Sequence, residues 1–558
     1  MKEVSIIFTG EAGTGIKTIE ALIAPLLKNE GYNLYISKEI MSRVRGGNNV
    51  TQLRVSDRRV TAMSDKNDFV IVLSKNSLYR LDSRLQENTV IIGPKSFIEE
   101  KYSEKFKTIY VEFAESARQV GNIMYANSVI LGFLGELLGI TFENVEKLIT
   151  KKFSKKGEEV VGKNLEAYKV GGNLAKESEL KVEIGKYKSI ISNGVVTGTE
   201  AMAIGSLAGG CNLAASYPMA PSTEIFMQLI DYSKDFGIAT EQAEDEIAAI
   251  NMVLGGWYAG ARALTTTSGG GFALMCEGIS MAGIGELPAV VHLAQRPGPG
   301  TGLPTRTEQG DLNLVLYAGH GDFPRVILAP GSLEEGVILG NKAFNIADKY
   351  QVPVFLLSDF HYVNQSYNIS EIDFSKLKIE NHFIKSEKGY ERYKLTENGI
   401  SPRAIPGYGE GFVCVDSDEH DESGHITEDF EVRVAHNEKR NRKLSTYEDI
   451  EPVISGDFNY ETLIIGWGST WGAINEAFEK ESKDKIAYAH FTQVYPVPKS
   501  TKALIEKAKK VIIIENNYTG QFADLIKKEL GINLENRVLR ADGLPFTVEQ
   551  IQKVIRGV

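Results

Sequence analysis

Cysteine is scarce in this chain: three residues, Cys211, Cys276 and Cys414, stand far apart among 558. No CxxC pair exists, which excludes a zinc site or an iron–sulfur cluster built from this chain's cysteines alone. Each reads as a small buried hydrophobe. The eight histidines include no HExxH. His420 and His425 lie in the polar run Asp418-Glu419-His420-Asp421-Glu422-Ser423-Gly424-His425, where a solvated turn is expected ahead of a cation site. No apolar run reaches the roughly 18 residues needed to span a membrane. No basic block offsets the net charge of −11, which argues against a general nucleic-acid binder. The sequence enters the strand-like Val4-Ser5-Ile6-Ile7-Phe8 at once, leaving no room for a signal peptide, so a cytoplasmic location is expected.

What is present is a globular composition, 42% hydrophobic and 24% charged, in a chain too long for one core. At about 100–200 residues per domain, three or four domains are expected. Residues 1–175 alternate short apolar strands (Val4–Phe8, Leu34–Ile36, Phe69–Leu73, Val90–Ile92, Ile109–Val111) with helical segments. One such helix is Gly15–Lys28, with Ile16, Ile19, Ile23 and Leu26 at helical spacing and Pro25 a kink. This βαβ pattern predicts a mostly parallel sheet. The polar Ala175-Lys176-Glu177-Ser178-Glu179 opens a linker over 176–189. A second α/β region spans 190–365, with strands at Leu264–Thr267, Ala289–Leu293, Arg325–Leu328 and Val354–Leu357. Residues 366–455 form an irregular connecting segment, and a third α/β region spans 456–558.

Four motifs carry chemistry. The strand Ala289–Leu293 runs on to Gln295-Arg296 and opens into Pro297-Gly298-Pro299-Gly300-Thr301-Gly302-Leu303-Pro304-Thr305. A strand delivering an arginine to a Gly/Pro loop is a usual ligand position in an α/β sheet, and arginine is the side chain best shaped to hold a carboxylate. The loop Gly10-Glu11-Ala12-Gly13-Thr14-Gly15-Ile16-Lys17-Thr18 approaches a P-loop. Its inserted Ile16 turns Lys17 by about 100° around the helix, which disfavours ATP hydrolysis while leaving backbone N–H groups for an anion. Ser42-Arg43-Val44-Arg45-Gly46-Gly47 joins two arginines, Arg43 and Arg45, to a flexible loop suited to a phosphate-rich ligand. Finally, Glu241-Gln242-Ala243-Glu244-Asp245-Glu246 enters an Ala/Gly-rich helix. Two readings stand level here: acids decorating a helix N-terminus, or a carboxyl held against apolar walls to share a proton with a ring nitrogen.

Taken in order, these segments resemble the fused γα subunit of the 2-oxoacid:ferredoxin oxidoreductases, over nearly the whole chain. Tyr217-Pro218-Met219-Ala220-Pro221-Ser222-Thr223-Glu224 resembles the family's YPITPSTE signature, Thr267-Ser268-Gly269-Gly270-Gly271-Phe272 its TSGPGF turn, and Arg296–Thr305 its RxGPSTGLPT loop. Glu419–His425 with Lys439-Arg440 matches a family segment of unclear role; Gly466-Trp467-Gly468-Ser469-Thr470 and Glu515-Asn516-Asn517-Tyr518-Thr519-Gly520-Gln521 resemble its transketolase-like carboxyl-terminal domain.

The resemblance implies an α/β fold of three doubly wound domains: a γ domain, a thiamine-diphosphate pyrimidine-binding domain and a transketolase C-terminal-like domain. It implies oxidative decarboxylation of a 2-oxoacid to acyl-CoA and CO2, with thiamine diphosphate as cofactor and coenzyme A as co-substrate. Glu246, with Glu244 as runner-up, would drive the cofactor's aminopyrimidine. Arg296 would bind the substrate carboxylate, Thr305 would hydrogen-bond substrate, and Tyr217, Pro218 and Ala220 would line the pocket. Arg43 and Arg45 are the coenzyme A candidates. No GDG…N segment or cysteine cluster is present, so Mg2+, the diphosphate and a [4Fe-4S] cluster fall to a β subunit in an (αβ)2 assembly that passes electrons to ferredoxin or flavodoxin. Ala220 stands where the family carries threonine, Gly300 where it carries serine and Gly270 where it carries proline. These departures favour, as an alternative, a divergent thiamine-diphosphate oxidoreductase with an unusual substrate. A nucleotide-binding protein using Gly10–Thr18 and a non-catalytic scaffold are the remaining alternatives, the latter opposed by the Glu246/Arg296 pair.

Overall fold

Val4, Ile6, Ile7 and Phe8 are all buried, so β1 (Glu3–Glu11) meets packed protein on both faces, the situation of a central strand in a layered α/β unit. Val4, Ile6 and Phe8 join one hydrophobic cluster and Ile7 the other, the period-two alternation of a strand. The computed structural model describes residues 3–42, 47–185, 194–481 and 484–557. They form two compact units: residues 1–196 with 365–371 and 547–551, and residues 197–364 with 372–546 and 552–558.

In the first unit, β1 is joined by β2 (Asn33–Glu39), β3 (Asn48–Ser56), β4 (Phe69–Val72), β5 (Val90–Gly93) and β6 (Lys107–Tyr110), with β7 (Val195–Thr197) and β14 (Ser366–Asn368) at one edge. The sheet order is β6-β5-β4-β1-β3-β2-β14-β7. The half from β6 to β1 is parallel as expected, but β3 is antiparallel to both β1 and β2. The sequence reading missed β3 because its buried face carries Gln52 and Arg54, which look like solvent-facing residues. Gln52 is satisfied by Ser64 and Asn67, and Arg54 by Glu3. A short connection from β2 returns the chain beside it, and short returns pair antiparallel strands.

Helix α1 (Ile16–Asn29) follows β1 and carries Pro25 inside it. Helices α2 (Ala126–Leu138) and α3 (Glu158–Glu177) pack backbone to backbone. A Cβ on Gly132 would stand 1.9 Å from the Tyr168 carbonyl and one on Gly171 1.8 Å from that of Val129, so only glycine permits this approach. The stretch from Ala175 to Glu177, expected to open a linker, is the last turn of α3; Ala, Lys and Glu all favour helix.

The second unit holds β8 (Leu213–Ser216), β9 (Ala239–Gln242), β10 (Ala263–Thr267), β11 (Ala289–Gln295), β12 (Val326–Leu328) and β13 (Pro353–Asp359), all parallel, with the short β20 (Gln493–Tyr495) antiparallel to β12. A five-stranded sheet of β17 (Val453–Gly456), β18 (Thr462–Trp467), β19 (Ile486–Phe491), β21 (Lys510–Glu515) and β22 (Asn536–Leu539) is parallel except at β17. Both sheets lie in one compact unit, and Phe272, Leu293, Trp467 and Phe522 belong to one shared core. In the connecting segment, β15 (Phe383–Ser386) pairs with β16 (Arg403–Gly409), and a helix runs over Phe430–Arg442. Among the described residues, no helix is long and apolar enough to cross a membrane.

Candidate active site

The carboxyl ends of β8, β10, β11 and β13 lie side by side and deliver Ser216, Thr267, Gln295 and Asp359 to one edge. Such an edge is where α/β sheets take ligands. Helix α4 (Glu246–Tyr258) enters beside it, and the two readings of its acidic lead separate here. Asp245 is the N-cap, accepting a hydrogen bond from the Ala248 N–H at 2.8 Å, and Glu244 is exposed. Glu246 turns inward and is only 3% exposed, and its Oε1 finds no hydrogen-bond partner among the described residues. That oxygen lies 2.4 Å from where a Cβ on Gly271 would sit, so the carboxyl rests on α5 (Gly269–Leu274), in the turn after β10. Leaving a buried acceptor unmet costs about 1–3 kcal/mol, and such groups call for an explanation, a ligand among them.

Arg296, just past β11, donates from Nη1 to the Ala220 carbonyl at 2.6 Å. This bond ties the start of the Gly/Pro loop to Ala220, which is exposed, as are Tyr217 and Pro218 just before it in sequence. Thr305 is half-buried on the same loop. Arg43 and Arg45 lie outside the described residues. His292, between Thr266 Oγ1 and Ser358 Oγ at 2.8 Å each, is a neutral core histidine pushed by burial down to about 3.

Beyond Thr305 the loop is clamped at Thr307 and Gln309, which sequence reasoning did not single out, in large part by the two carboxyl-terminal motifs that it did. Thr307 donates to Asp359 Oδ1 at 2.9 Å, and Ser469 donates to the other carboxylate oxygen. Gln309 has every polar group met: its N–H by the Asn516 carbonyl at 2.7 Å, Nε2 by the Trp467 carbonyl at 2.8 Å, Oε1 by the Asn516 N–H at 2.9 Å, and its carbonyl by Asn517 Nδ2 at 3.2 Å. Gln521 donates to the Gly310 carbonyl at 2.7 Å. The Gly-Trp-Gly-Ser and Glu-Asn-Asn…Gly-Gln motifs therefore hold the loop that follows Thr305. Glu515 anchors them, accepting from the N–H groups of Phe522 and Ala523, from Asn517 and from Trp467.

Asp311 closes the clamped stretch. Its N–H reaches Gln295 Oε1 at 3.0 Å, and its Oδ2 is buried with no partner among the described residues. Its carboxyl oxygens lie 2.5 and 2.7 Å from where a Cβ on Gly269 would be. Burial pushes its carboxyl up to about 7, with Glu308 adding and Arg296 opposing.

The expected solvated turn at His420 is a correction. His420 is fully buried and stacks on Tyr393 with ring centroids 3.7 Å apart, whereas Asp418 and His425 of the same run are exposed. The acid of this cluster, Glu286, meets Lys439 Nζ at 2.8 Å and Lys443 Nζ at 2.7 Å. Although Glu286, His420 and His436 approach metal-ligand spacing, two ammonium groups already occupy the carboxylate. A cation there would face like charge.

In the first unit, Gly13, Thr14, Gly15, Leu73, Phe97 and Asn127 border a cavity of about 430 Å³ at the ends of β1 and β4. Lys17 is exposed and is not among its lining residues, which argues against a P-loop role.

Residues 204–439 match the family described as pyruvate flavodoxin/ferredoxin oxidoreductase, thiamine diP-bdg, and residues 5–174 the family described as pyruvate ferredoxin/flavodoxin oxidoreductase. The 2-oxoacid:ferredoxin oxidoreductase subunit alpha of Sulfolobus sp is 30% identical over 99% of this chain and 96% of its own. The 2-oxoglutarate oxidoreductase subunit KorA of Mycobacterium tuberculosis is 32% identical over 77% of this chain and 68% of its own. Among solved structures, the 2-oxoglutarate:ferredoxin oxidoreductase from Magnetococcus marinus, with 2-oxoglutarate, coenzyme A and succinyl-CoA bound, matches with a TM-score of 0.93 at 30% identity, over 100% of this chain and 99% of that one.

Proposed function

This chain belongs to the 2-oxoacid:ferredoxin oxidoreductases as an α subunit with a thiamine diphosphate-binding domain, and from that premise we propose the residues that do its work. The reaction is oxidative decarboxylation of a 2-oxoacid to acyl-CoA and CO2. Electrons leave to ferredoxin or flavodoxin through a β subunit that carries Mg2+, the diphosphate site and a [4Fe-4S] cluster, in an (αβ)2 assembly. The three scattered cysteines of this chain supply no cluster ligand set. The three α/β regions, 1–175, 190–365 and 456–558, divide the labour, and the middle one carries the chemistry.

The observation that carries this reading is the buried, unpartnered Oε1 of Glu246 above Gly271. It fits the aminopyrimidine of thiamine diphosphate, whose ring nitrogen offers the missing partner. Bound there, the cofactor supplies a nucleophilic carbon that activates the 2-oxo group. Glu246 holds and moves a proton at Oε1. Glu244, exposed, stays outside this exchange. Arg296, steadied on the Ala220 carbonyl, directs its remaining N–H groups to the substrate carboxylate, and Thr305 donates to the substrate. Tyr217 and Pro218 form the wall beside Ala220. The methyl of Ala220 offers no hydrogen bond, which favours a substrate preference shifted from that of threonine-bearing relatives. In the first unit, the cavity beside Gly13–Gly15 and the arginines Arg43 and Arg45 are the place for coenzyme A.

The test is viologen reduction by the complete α–β complex, purified without oxygen, against a panel of 2-oxoacids with and without coenzyme A. Reduction that needs both a 2-oxoacid and coenzyme A supports the reading. No reduction with any member of the panel, from a complex with its cluster intact, contradicts it.

A further inference from the structure

We infer that Asp311 takes up one proton when a 2-oxoacid carboxylate docks on Arg296, so that the substrate enters its pocket as anion plus proton. This rests on the reading of Arg296 as the carboxylate-binding residue.

Asp311 has no structural task for a charge. It precedes α6 (Leu312–Leu316) in the N-cap position, yet its side chain makes no capping hydrogen bond. Its Oδ2 is buried and unmet, and the Ser268 hydroxyl, on the turn against which the carboxyl rests, is likewise buried and unmet. The clamp at Gln309 and the bond from its own N–H to Gln295 fix Asp311 in place.

The charges around it decide its behaviour. Arg296 at the end of β11 attracts its ionised form, whereas Glu308 on its own loop repels it. On α4, Glu246 lies over Gly271, two residues from Gly269. One strand across, Asp359 is hydrogen-bonded by Thr307, by Ser469 and by the Tyr362 N–H. On α7 (Gln521–Leu530), which packs against α6, Asp524 is held by Arg537 at 2.8 Å and Lys528 lies over the Tyr317 ring. Arg296 is thus the cation acting on Asp311. An ionised Asp311 neutralises Arg296 and competes with an incoming carboxylate. A second anion beside it penalises the ionised form further, and burial already sets the group near neutrality. Docking therefore draws a proton from solvent onto Asp311. Loss of CO2 removes the anionic charge, and the proton returns to solvent. No bond to carbon is made or broken by this group.

The test uses the complete α–β complex and an analogue that resists decarboxylation: oxamate, or N-oxalylglycine where 2-oxoglutarate is the better substrate. Calorimetry at pH 8 in two buffers of different ionisation enthalpy counts the protons taken up. The expected result is close to one proton per analogue bound in the native complex and none in Asp311→Asn. The inhibition constant is expected to rise by about tenfold per pH unit above pH 7 in the native complex and to stay flat in Asp311→Asn. Native complex that binds the analogue with no proton uptake and no pH dependence overturns the proposal, and this arm needs no variant. Arg296→Gln separates the two readings. If it binds the analogue like native protein, the carboxylate role of Arg296 fails and the role of Asp311 falls with it. If it loses binding while native protein takes up no proton, only the Asp311 proposal fails.

Discussion

Two buried glutamates in the second unit have opposite surroundings. Glu286, 1% exposed, has an ammonium group within 2.8 Å of each carboxylate oxygen. Burial would raise its carboxyl, but Lys443, Lys439 and Arg392 outweigh burial and hold it far below the usual carboxylate range. Glu246 is as deeply buried, yet its Oε1 has no partner among the described residues. Burial alone does not distinguish a working acid from a structural one. What distinguishes them is whether the protein itself supplies an ionic partner. Lys439 and Lys443 pair with Glu286 and lock the connecting segment, whereas Glu246 Oε1 meets no partner among the described residues.

Breaking the open site has the largest expected effect. Glu246→Gln should lower viologen reduction by about 10²- to 10⁴-fold, the range for a lost general acid–base group, with unfolding midpoints unchanged in the absence of the cofactor. A near-normal rate would put Glu246 in the same structural class as Glu286. The converse substitution, Glu286→Gln, should destabilise the protein by about 3–5 kcal/mol in denaturant unfolding, because it leaves two ammonium groups buried without a counter-charge. Turnover per folded molecule should be preserved. The pH dependence has a definite sign. The Glu286 carboxyl is depressed in the folded state, so its contribution is fully present above about pH 4.3, the ordinary glutamate value, and is lost as pH falls well below it. Gln309→Ala leaves the Asn516 N–H unmet and removes one of the two donors to the Trp467 carbonyl, which keeps the Thr470 hydroxyl. It should cost about 1–3 kcal/mol and loosen the loop that carries Thr305 and Asp311, seen as a lower kcat/KM. The smallest effect is a sharpening one. Ala220→Thr should shift the ratio of kcat/KM between two 2-oxoacids by about tenfold, the scale of one hydrogen bond in a pocket.

The strands that carry the site were legible because β11 and β13 are largely apolar runs, as strands buried on both faces tend to be, and β10 is rich in β-branched threonine. β3 was not, since Gln52 and Arg54 find their partners only after folding. The residues alone left the acidic run of Glu246 evenly balanced between two readings and the family resemblance chose Glu246, while the exposure of Glu244 beside the burial of Glu246 became visible only in three dimensions. Asp311 and Gln309 carry no local signal at all. Their meaning depends on Gly269 and on Asn516, remote in sequence. His420 was misread for the same reason: a run of charges looks solvated until Tyr393 covers the ring and Glu286 neutralises Lys439 and Lys443.

The most direct test is the unfolding midpoint of native and Glu246→Gln α–β complexes with and without thiamine diphosphate. Glu246 as the cofactor's missing partner predicts that the cofactor stabilises native protein markedly and the variant much less, while the two unfold alike without it. Equal stabilisation of both would mean that the open oxygen of Glu246 receives nothing from the cofactor, and would contradict its assignment.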